Sequence, residues 1–366
     1  MLVGLPGATE VIGVPSANAK GALMVPAFAR TAWAARIAGL CLCLVLAVVT
    51  GACSGETKDT AVTADAGPSP SSGCDGSTPS HSGTVSLRHD GMDRSYELVV
   101  PDMRPGVPVP LVLGFHGYTG SPQEAALSGL ALRALQDGFV AVLPYGSDVD
   151  GSTPRYFNIE TSDEPLLADD IGFTQAILDD VEADLCIDRT RIYAMGMSNG
   201  GMFVSTLACA LGERIAAVAP VAGVHVASDC AGRPVPIIAT HGTSDVQIPF
   251  AESDVGRFEV SGLFEQSAGA QAQRRMFEQV YGTSATSWVE SWARHNGCNL
   301  DSPEVATVGS AVERTAYVDC DDGADVMLQT VVGGGHDWPT SPTLDATARA
   351  LAFFQDHPLP RNALEG

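Results

Sequence analysis

Ser198 is the side chain best placed for covalent chemistry, because it is the centre of a Gly-x-Ser-x-Gly pentapeptide between an apolar run and a helix-like stretch. A strand that reverses abruptly into a helix holds such a serine in a strained turn, with its hydroxyl exposed above the sheet edge. Gly196 and Gly200 leave room for that turn, where a Cβ would collide with neighbouring elements. A Gly-rich turn can contain this pentapeptide by chance, so the prediction of a nucleophile depends on suitable partners elsewhere.

A serine hydroxyl needs a base to accept its proton, and the base needs an acid to orient it. The apolar run 234–240 leads into His-Gly-Thr-Ser-Asp245, so Asp245 follows a strand end. The later run 326–332 leads through three glycines to His336, and such a loop could bring the imidazole over the serine. The order Ser, Asp, His is that of an α/β-hydrolase. We therefore predict a triad of Ser198, Asp245 and His336.

Other acids and histidines compete for these roles. Asp337 adjoins His336 in the chain and would point away from it, and Asp254 lies in a polar loop, so both rank below Asp245 as the acid. Of the remaining histidines after Asp245, His295 lies in a helix-like stretch and His357 lies near the end of the chain. Position in the sequence therefore favours His336 as the base.

The run 110–115 is a further strand, and it ends in His116-Gly117-Tyr118. In an α/β-hydrolase this loop gives one backbone N–H to the oxyanion hole, and the residue after the nucleophile gives the other. The expected donors are Tyr118 and Asn199. His116 and His241 each lie at a strand end, and we interpret both as structural, hydrogen-bonding histidines.

These motifs together resemble the polyhydroxybutyrate depolymerase and feruloyl esterase group of secreted α/β-hydrolases. The matching segments are His116-Gly-Tyr, Gly-Met-Ser198-Asn-Gly-Gly-Met, His241-Gly-Thr-Ser-Asp245 and Gly-Gly-Gly-His336-Asp-Trp-Pro, and the likeness extends from about Thr84 to about Phe354. The resemblance implies a serine esterase acting on hydroxyalkanoate, feruloyl or acetyl esters. The chain departs from the group at Tyr118, where cysteine is common, and in a longer segment after Phe250.

Two features next to the predicted triad have both functional and structural interpretations. Trp338 follows His336 by two residues, and it is either a substrate-facing wall of the pocket or a packed aromatic. Ala251–Ser287 mixes aromatic residues with glycines and charges at irregular spacing. It leaves the sheet at the edge where open α/β folds bind ligands, so it is either a partial cover over the pocket or a surface excursion.

Apolar runs and helical segments alternate along the chain, which predicts an α/β fold with a doubly wound, mostly parallel sheet and helices on both faces. A hairpin is expected around Asp90-Gly91. The predicted strands are 85–88, 95–100, 111–115, 139–143, 192–195, 216–220, 237–240 and 326–332, and the predicted helices are 122–136, 171–183, 200–211 and 344–354.

The composition excludes several classes of function. The 366 residues are 45% hydrophobic and 17% charged, as in a globular protein, and the net charge of −23 repels nucleic acid and anionic membrane faces. The only lysines are Lys20 and Lys58, so the domain has no Lys-containing phosphate loop, Schiff-base lysine or Ser-Lys dyad. No His, Cys and carboxylate cluster has zinc spacing. We therefore predict no metal and no cofactor. The family resemblance implies a small or oligomeric ester as substrate, derived from plant cell wall or polyester.

Residues 1–52 have the features of a secretory signal. Arg30 and Arg36 precede the apolar run 37–49, and small residues follow it. The stretch before Arg30 is apolar and weakly charged, which does not fit the start of a signal, so translation is predicted to begin at Met24.

Cys53 directly follows Thr-Gly-Ala, and this segment resembles a bacterial lipobox whose cysteine becomes lipidated. We predict an extracellular or cell-surface protein that is lipid-anchored through Cys53. The Ser, Thr, Gly, Asp and Pro-rich stretch that follows has no apolar period, so 53–82 are assigned to the lipidation site and a flexible linker. The catalytic domain is predicted to span 83–358, with a tail at 359–366.

Six cysteines remain in the predicted mature chain after Cys53, and an even number outside the cell indicates disulfides. Cys298 closes a helical stretch and Cys320 ends the next strand-like run, which favours their pairing. Cys209 and Cys230 are expected at the same sheet edge, and Cys74 and Cys186 are left by elimination. The sequence alone leaves other pairings open.

The sequence thus predicts a secreted or membrane-tethered serine esterase that works through an acyl-enzyme. An acyltransferase would use the same triad but admit an acceptor alcohol instead of water. A non-catalytic binding lipoprotein on the same fold would be expected to have lost a triad member, and all three are present.

Overall fold

The strands of the fold form a single mixed sheet. The carboxyl ends of its central strands lie along one edge of that sheet. In a computed structural model of the chain, the described residues are 67–76, 81–123, 128–148, 155–159, 168–226, 230–255, 278 and 282–365. Within them the strands are β1 Gly83–His89, β2 Met92–Val99, β3 Val109–Phe115, β4 Val140–Pro144, β5 Ile187–Met197, β6 Ala217–Val221, β7 Ile237–Gly242, β8 Glu304–Val308, β9 Val312–Tyr317 and β10 Val326–Val331.

The described strands form one sheet in the order β1-β2-β4-β3-β5-β6-β7-β10-β9-β8. The central strands β4, β3, β5, β6, β7 and β10 pair in parallel. The hairpins β1–β2 and β8–β9 extend the sheet antiparallel at its two sides. The predicted hairpin around Asp90-Gly91 is present, and both of these residues have the positive φ that a tight hairpin turn needs.

The α-helices among the described residues are α1 Leu130–Asp137, α2 Asp170–Asp184, α3 Asn199–Ala210, α4 Ala285–His295 and α5 Ala346–Asp356. Helices α2, α3 and α4 pack on one apolar cluster, and α1 and α5 pack on another. Strand β3 contributes Leu111 and Leu113 to the first cluster and the intervening Val112 to the second. This alternation shows that the two clusters lie on opposite faces of the sheet, because successive side chains of a strand point to opposite faces.

The predicted fold class is confirmed, with two differences in detail. Strand β8 was not predicted, because it is exposed along nearly its whole length and has no buried apolar run. Within the helix predicted over 122–136, Gln123 is helical, and α1 begins only at Leu130, because Gly129 directly before it takes a left-handed conformation with φ +73°. Residues 124–127 lie outside the described residues.

The structure extends the folded unit beyond the predicted limits of 83 and 358. Ser71 donates its hydroxyl to the Leu185 carbonyl, and Cys74 is bonded to Cys186, so part of the predicted linker lies on the domain. Beyond α5, Leu359 is fully buried and donates its N–H to the Thr190 carbonyl. Both segments are held by backbone hydrogen bonds that composition does not show.

The three disulfides of the structure join the pairs that the sequence predicts, Cys74–Cys186, Cys209–Cys230 and Cys298–Cys320. Such bonds form and persist in oxidising compartments, which places the protein outside the cytosol. In the part of the chain that the structure describes, every helix is too short or too polar to cross a bilayer. The signal segment, Met24 and Cys53 lie outside the described residues.

Candidate active site

Ser198 lies in the sharp turn between β5 and α3, at φ +53° and ψ −119°. This backbone is strained for a residue with a side chain, and such strain is found where a turn serves a functional site. The turn closes because its flanking glycines have no side chains. A Cβ on Gly196 would lie 2.4 Å from the Gly200 carbonyl oxygen, and one on Gly200 would lie 2.4 Å from that of Phe115. The predicted nucleophile elbow is therefore present.

Asp245 and His336 meet although they are 91 residues apart in the chain. Asp245 follows β7 and His336 follows β10, and these strands are parallel neighbours, so both residues leave the sheet at the same edge. His336 Nδ1 lies 2.8 Å from Asp245 Oδ2. A carboxylate can only accept, so Nδ1 carries the hydrogen, and in the neutral ring Nε2 keeps a lone pair for a proton from a substrate or a nucleophile.

The Asp245 carboxylate is fully buried and accepts several hydrogen bonds. Its Oδ1 accepts the backbone N–H groups of Gln247 at 2.7 Å and Ile248 at 2.9 Å. Burial by itself raises the pKa of Asp245, but the His241 and His336 side chains and the Ile248 N–H hold that pKa well below the usual value of an aspartate. The group is therefore a carboxylate whenever the protein is folded at neutral pH, as an orienting acid must be.

Ser198 and His336 line one cavity of about 520 Å³ at this edge of the sheet. Tyr118 and Trp338 contribute aromatic walls, and Gln247 also lines the cavity, from the loop that carries Asp245 (the acid loop). A nucleophile in a strained elbow and an oriented imidazole thus face the same space. An ester carbonyl entering that space could be attacked by the serine while the imidazole accepts its proton.

The two expected oxyanion donors lie on adjoining elements. Tyr118 lines the cavity in the loop after β3. Asn199 is the first residue of α3, where backbone N–H groups have no partner within the helix and the helix dipole favours negative charge. The Asn199 side chain makes paired hydrogen bonds of 2.8 Å with the backbone N–H and carbonyl of Phe157. Asn199 is thus fixed by a segment that sequence reasoning did not connect to the site.

Feruloyl esterase D of Neurospora crassa is 29% identical to this chain over 287 residues, covering 75% of the chain and 85% of that enzyme. Feruloyl esterase B of Piromyces equi is 29% identical over 234 residues, 62% of the chain. A bifunctional acetylxylan esterase/xylanase of Neocallimastix patriciarum is 31% identical over 161 residues, 43% of the chain. The chain spans 39% of the length of the Piromyces protein and 22% of that of the Neocallimastix protein.

These relatives show which family the chain resembles. The chain is similar to the feruloyl esterase and acetyl xylan esterase family of α/β-hydrolases. The named relatives are esterases, and with them the predicted enzyme class, a serine esterase of the feruloyl esterase type, is confirmed. An acetyl xylan esterase from Aspergillus awamori superposes with a TM-score of 0.53 over 75% of this chain and 99% of its own, and at 13% identity it supports the fold alone. No family model matches the chain.

The rival acids of this esterase lie away from the imidazole. Asp337 is exposed, and His336 Nδ1 is bonded to Asp245 instead. Asp254 accepts the backbone N–H of Ala251 and thereby closes a single 3-10 turn. The rival histidines are also engaged elsewhere. His295 Nε2 lies 3.7 Å from the Cys230 sulfur, and His357 Nδ1 lies 2.7 Å from the Phe353 carbonyl oxygen.

His116 has the structural role that its position at a strand end predicts. Its Nδ1–H donates to the Gly117 carbonyl at 2.7 Å, and its Nε2 accepts the Gly146 N–H at 2.9 Å. Both ring nitrogens are thus used in the neutral form, and burial lowers the pKa of His116 to about 4, against the opposing effect of the Gly117 hydrogen bond. His116 therefore shapes the loop that carries Tyr118 and is not poised for proton transfer.

Trp338 combines the two roles that the sequence left open. It lines the cavity, and it is also half-buried against the apolar clusters below. Its indole N–H donates to Thr347 Oγ1 at 3.0 Å, and that hydroxyl donates to the Ser128 carbonyl at 2.7 Å. The ring is therefore a fixed wall of the esterase cavity.

The described residues contain no group of three or more His, Cys, Asp or Glu that could hold a metal ion. Most of the predicted cover segment, residues 256–277 and 279–281, lies outside the described residues. The structure thus brings Ser198, Asp245, His336, Tyr118, Asn199 and Trp338 to one edge of the sheet, as predicted. The contacts of Asn199 with Phe157 and of His241 with the acid loop were not predicted. The sequence does carry a signal for the second, since His241 precedes Asp245 by four residues at a strand end.

Proposed function

We propose that this esterase cleaves carboxylic esters through a covalent acyl-enzyme formed on Ser198. The observation that carries the proposal is the 2.8 Å hydrogen bond between His336 Nδ1 and buried Asp245, on a ring that shares its cavity with the strained Ser198. Ser198 Oγ attacks the ester carbonyl while His336 Nε2 accepts its proton. Collapse of the tetrahedral intermediate breaks the bond to the alcohol, which leaves with that proton.

Water completes the cycle by attacking the acyl-enzyme, with His336 again accepting a proton and returning it to Ser198. Asp245 holds the imidazole in the Nδ1–H tautomer and stabilises the imidazolium formed in each half-reaction. The N–H groups of Tyr118 and Asn199 are the donors for the oxyanion, because one lies in the loop after β3 and the other at the start of α3. Each step uses groups at the same edge of the sheet.

The substrates proposed are feruloyl and acetyl esters of the plant cell wall. The relatives named above are feruloyl esterases and an acetylxylan esterase/xylanase, which supports this substrate class. The cavity offers aromatic walls at Tyr118 and Trp338, which suit stacking against a phenolic acyl group. The net charge of −23 disfavours polyanionic substrates and is compatible with neutral esters.

An ester panel tests the substrate proposal. The purified chain from Cys53 onward is assayed with methyl ferulate, acetylated xylan, hydroxybutyrate oligomers and p-nitrophenyl esters of increasing chain length, and Ser198→Ala serves as the blank. We expect the highest kcat/KM on methyl ferulate or acetylated xylan. Cleavage of hydroxybutyrate oligomers alone would replace the cell-wall assignment and retain the esterase. If no ester in the panel is hydrolysed above the blank, the proposed function is wrong.

We also propose that Cys53 carries a lipid anchor. The support is the apolar run 37–49 followed by Thr-Gly-Ala-Cys53, and a cysteine bearing two or more acyl chains would hold the domain stably at a membrane. Mass spectrometry of the mature N-terminus from a bacterial host with lipoprotein processing should find an acylated Cys53. In Cys53→Ser the esterase should move from the membrane fraction to the soluble fraction. An unmodified N-terminus at another residue would contradict the proposal.

A further inference from the structure

His241 ends β7 four residues before Asp245, and its side chain is almost completely buried. Its Nε2 lies 3.2 Å from the Ile248 carbonyl oxygen and 3.3 Å from Asp245 Oδ2. Both neighbours are acceptors only, so Nε2 carries the hydrogen. The geometry favours Ile248 as the main hydrogen-bond acceptor, with Asp245 Oδ2 in close electrostatic contact with the same N–H.

His241, Asp245 and Ile248 contact one another and so connect the two ends of the acid loop. His241 Nε2–H reaches the Ile248 carbonyl, the Ile248 N–H donates to Asp245 Oδ1 at 2.9 Å, and Asp245 Oδ2 lies against both His241 Nε2 and His336 Nδ1. The turn from Asp245 to Ile248 is therefore fixed at both ends by one imidazole. A carboxylate supported in this way has little freedom to rotate away from His336.

The other ring nitrogen of His241 shows that this is not an ordinary buried histidine. His241 Nδ1 is fully buried and has no hydrogen-bond partner among the described residues. His116, by contrast, uses both of its ring nitrogens to hold backbone groups. A buried polar atom without a partner destabilises the fold, so stability alone does not account for a histidine at this position. A function that needs only the Nε2–H does account for it.

We propose that His241 is a positioning residue of the active site, which holds the Asp245 carboxylate in line with His336 through its Nε2–H. The inference rests on the proposed function, because it assigns His241 to the same Ser198, His336 and Asp245 machinery. His241 does not line the cavity. Its loss should therefore lower kcat while KM stays close to that of the wild type.

Two amide substitutions separate a positioning role from a packing role. Glutamine can place its side-chain N–H group near the position of His241 Nε2, whereas the shorter asparagine reaches only the position of Nδ1, which has no partner here. We expect His241→Asn to lower kcat about tenfold, the effect of losing the Nε2–H that binds the Ile248 carbonyl and lies against Asp245 Oδ2. His241→Gln should keep most of the wild-type kcat.

The pH profile gives a second measurement that packing would not change. Among the described residues, the titratable groups against Asp245 are His241 and His336. Removing the His241 donor makes Asp245 a stronger acceptor for His336 Nδ1–H, which stabilises the imidazolium. The acid limb of kcat/KM, which reports protonation of an essential base in the free enzyme, should therefore move to higher pH in His241→Asn and stay in place in His241→Gln.

The experiment measures kcat, KM and the pH profile of the wild type and both variants on one ester. Each kcat is expressed per active site that a fluorophosphonate labels. A double-mutant cycle with Asp245→Asn completes it, since His241→Asn should have little further effect once the carboxylate is gone. Should His241→Asn not fold, His241→Phe, which keeps the ring volume, takes its place. The inference is overturned if kcat per labelled site and the acid limb match the wild type, or if His241→Gln loses as much activity as His241→Asn. Absence of ester turnover in the wild type would instead show that the proposed function is wrong.

Discussion

Replacing Ser198 by alanine should lower ester turnover by a factor on the order of 10⁴ or more and leave the protein folded. The reason is that the elbow presents a single hydroxyl to the carbonyl, and no acyl-enzyme can form without it. The residual rate should be that of water attacking the bound ester, assisted only by binding in the cavity and by the oxyanion donors. The steric strain at φ +53° is also relieved only slightly by alanine, which retains its Cβ, so thermal stability should change little.

The measurement is kcat/KM of the wild type and Ser198→Ala on the best substrate of the panel, together with labelling by a fluorophosphonate. The label should be found on Ser198 alone. Ser205→Ala is a matched control, because Ser205 lies on α3 with its hydroxyl bonded to the Gly201 carbonyl within the helix. It should retain the activity and the labelling. Hydrolysis at the wild-type rate by a folded Ser198→Ala would show that the acyl-enzyme mechanism is wrong.

The positions of the predicted triad residues could be read from the sequence because the sheet is parallel. Each candidate follows an apolar run, and the carboxyl ends of parallel strands meet along one edge, so residues far apart in the chain become neighbours. Ser198 after β5, Asp245 after β7 and His336 after β10 all follow this rule. The rule gives the edge and the order of the residues.

Contacts that depend on loop paths could not be read in this way. The side chain of Asn199 is bonded to Phe157, 42 residues earlier, in a short stretch with no regular element to mark its course. Strand β8 has an exposed pattern typical of a loop, and it joins the sheet only because β9 provides a free edge. The segment around Ser71 reads as linker by composition, yet Cys74 and its backbone hydrogen bonds attach it to the domain. Each of these is decided by partners distant in sequence.

The contacts of Asp245 also explain why it, and not a neighbour in the chain, is the proposed acid. Asp337 is adjacent to His336 in sequence, but adjacent side chains in an extended loop point apart, and Asp337 is exposed. Asp245 reaches Nδ1 at 2.8 Å from a loop that four donors hold in place, His336, His241 and the N–H groups of Gln247 and Ile248. Orientation of the imidazole should therefore depend on Asp245 and not on Asp337.

Asp245→Asn should consequently remain folded and lose most of its turnover, by a factor of about 10³ to 10⁴. An amide cannot distinguish the two tautomers of His336 as a carboxylate does, since its NH₂ group can donate to an unprotonated Nδ1. That arrangement places the hydrogen on Nε2, where it can no longer accept the proton of Ser198. The loss should appear in kcat, and fluorophosphonate labelling of Ser198 should slow in parallel.

Asp337→Asn and Asp254→Asn are the matched controls, because each makes the same chemical change in a residue that does not contact the imidazole. Both should retain activity within a fewfold of the wild type. Single-turnover assays on the three variants at pH 7 to 8, with folding checked by circular dichroism, provide the comparison. A larger loss in Asp337→Asn than in Asp245→Asn would reverse the assignment of the acid. It would also remove the basis for the positioning role of His241, because that role acts only through the Asp245 carboxylate.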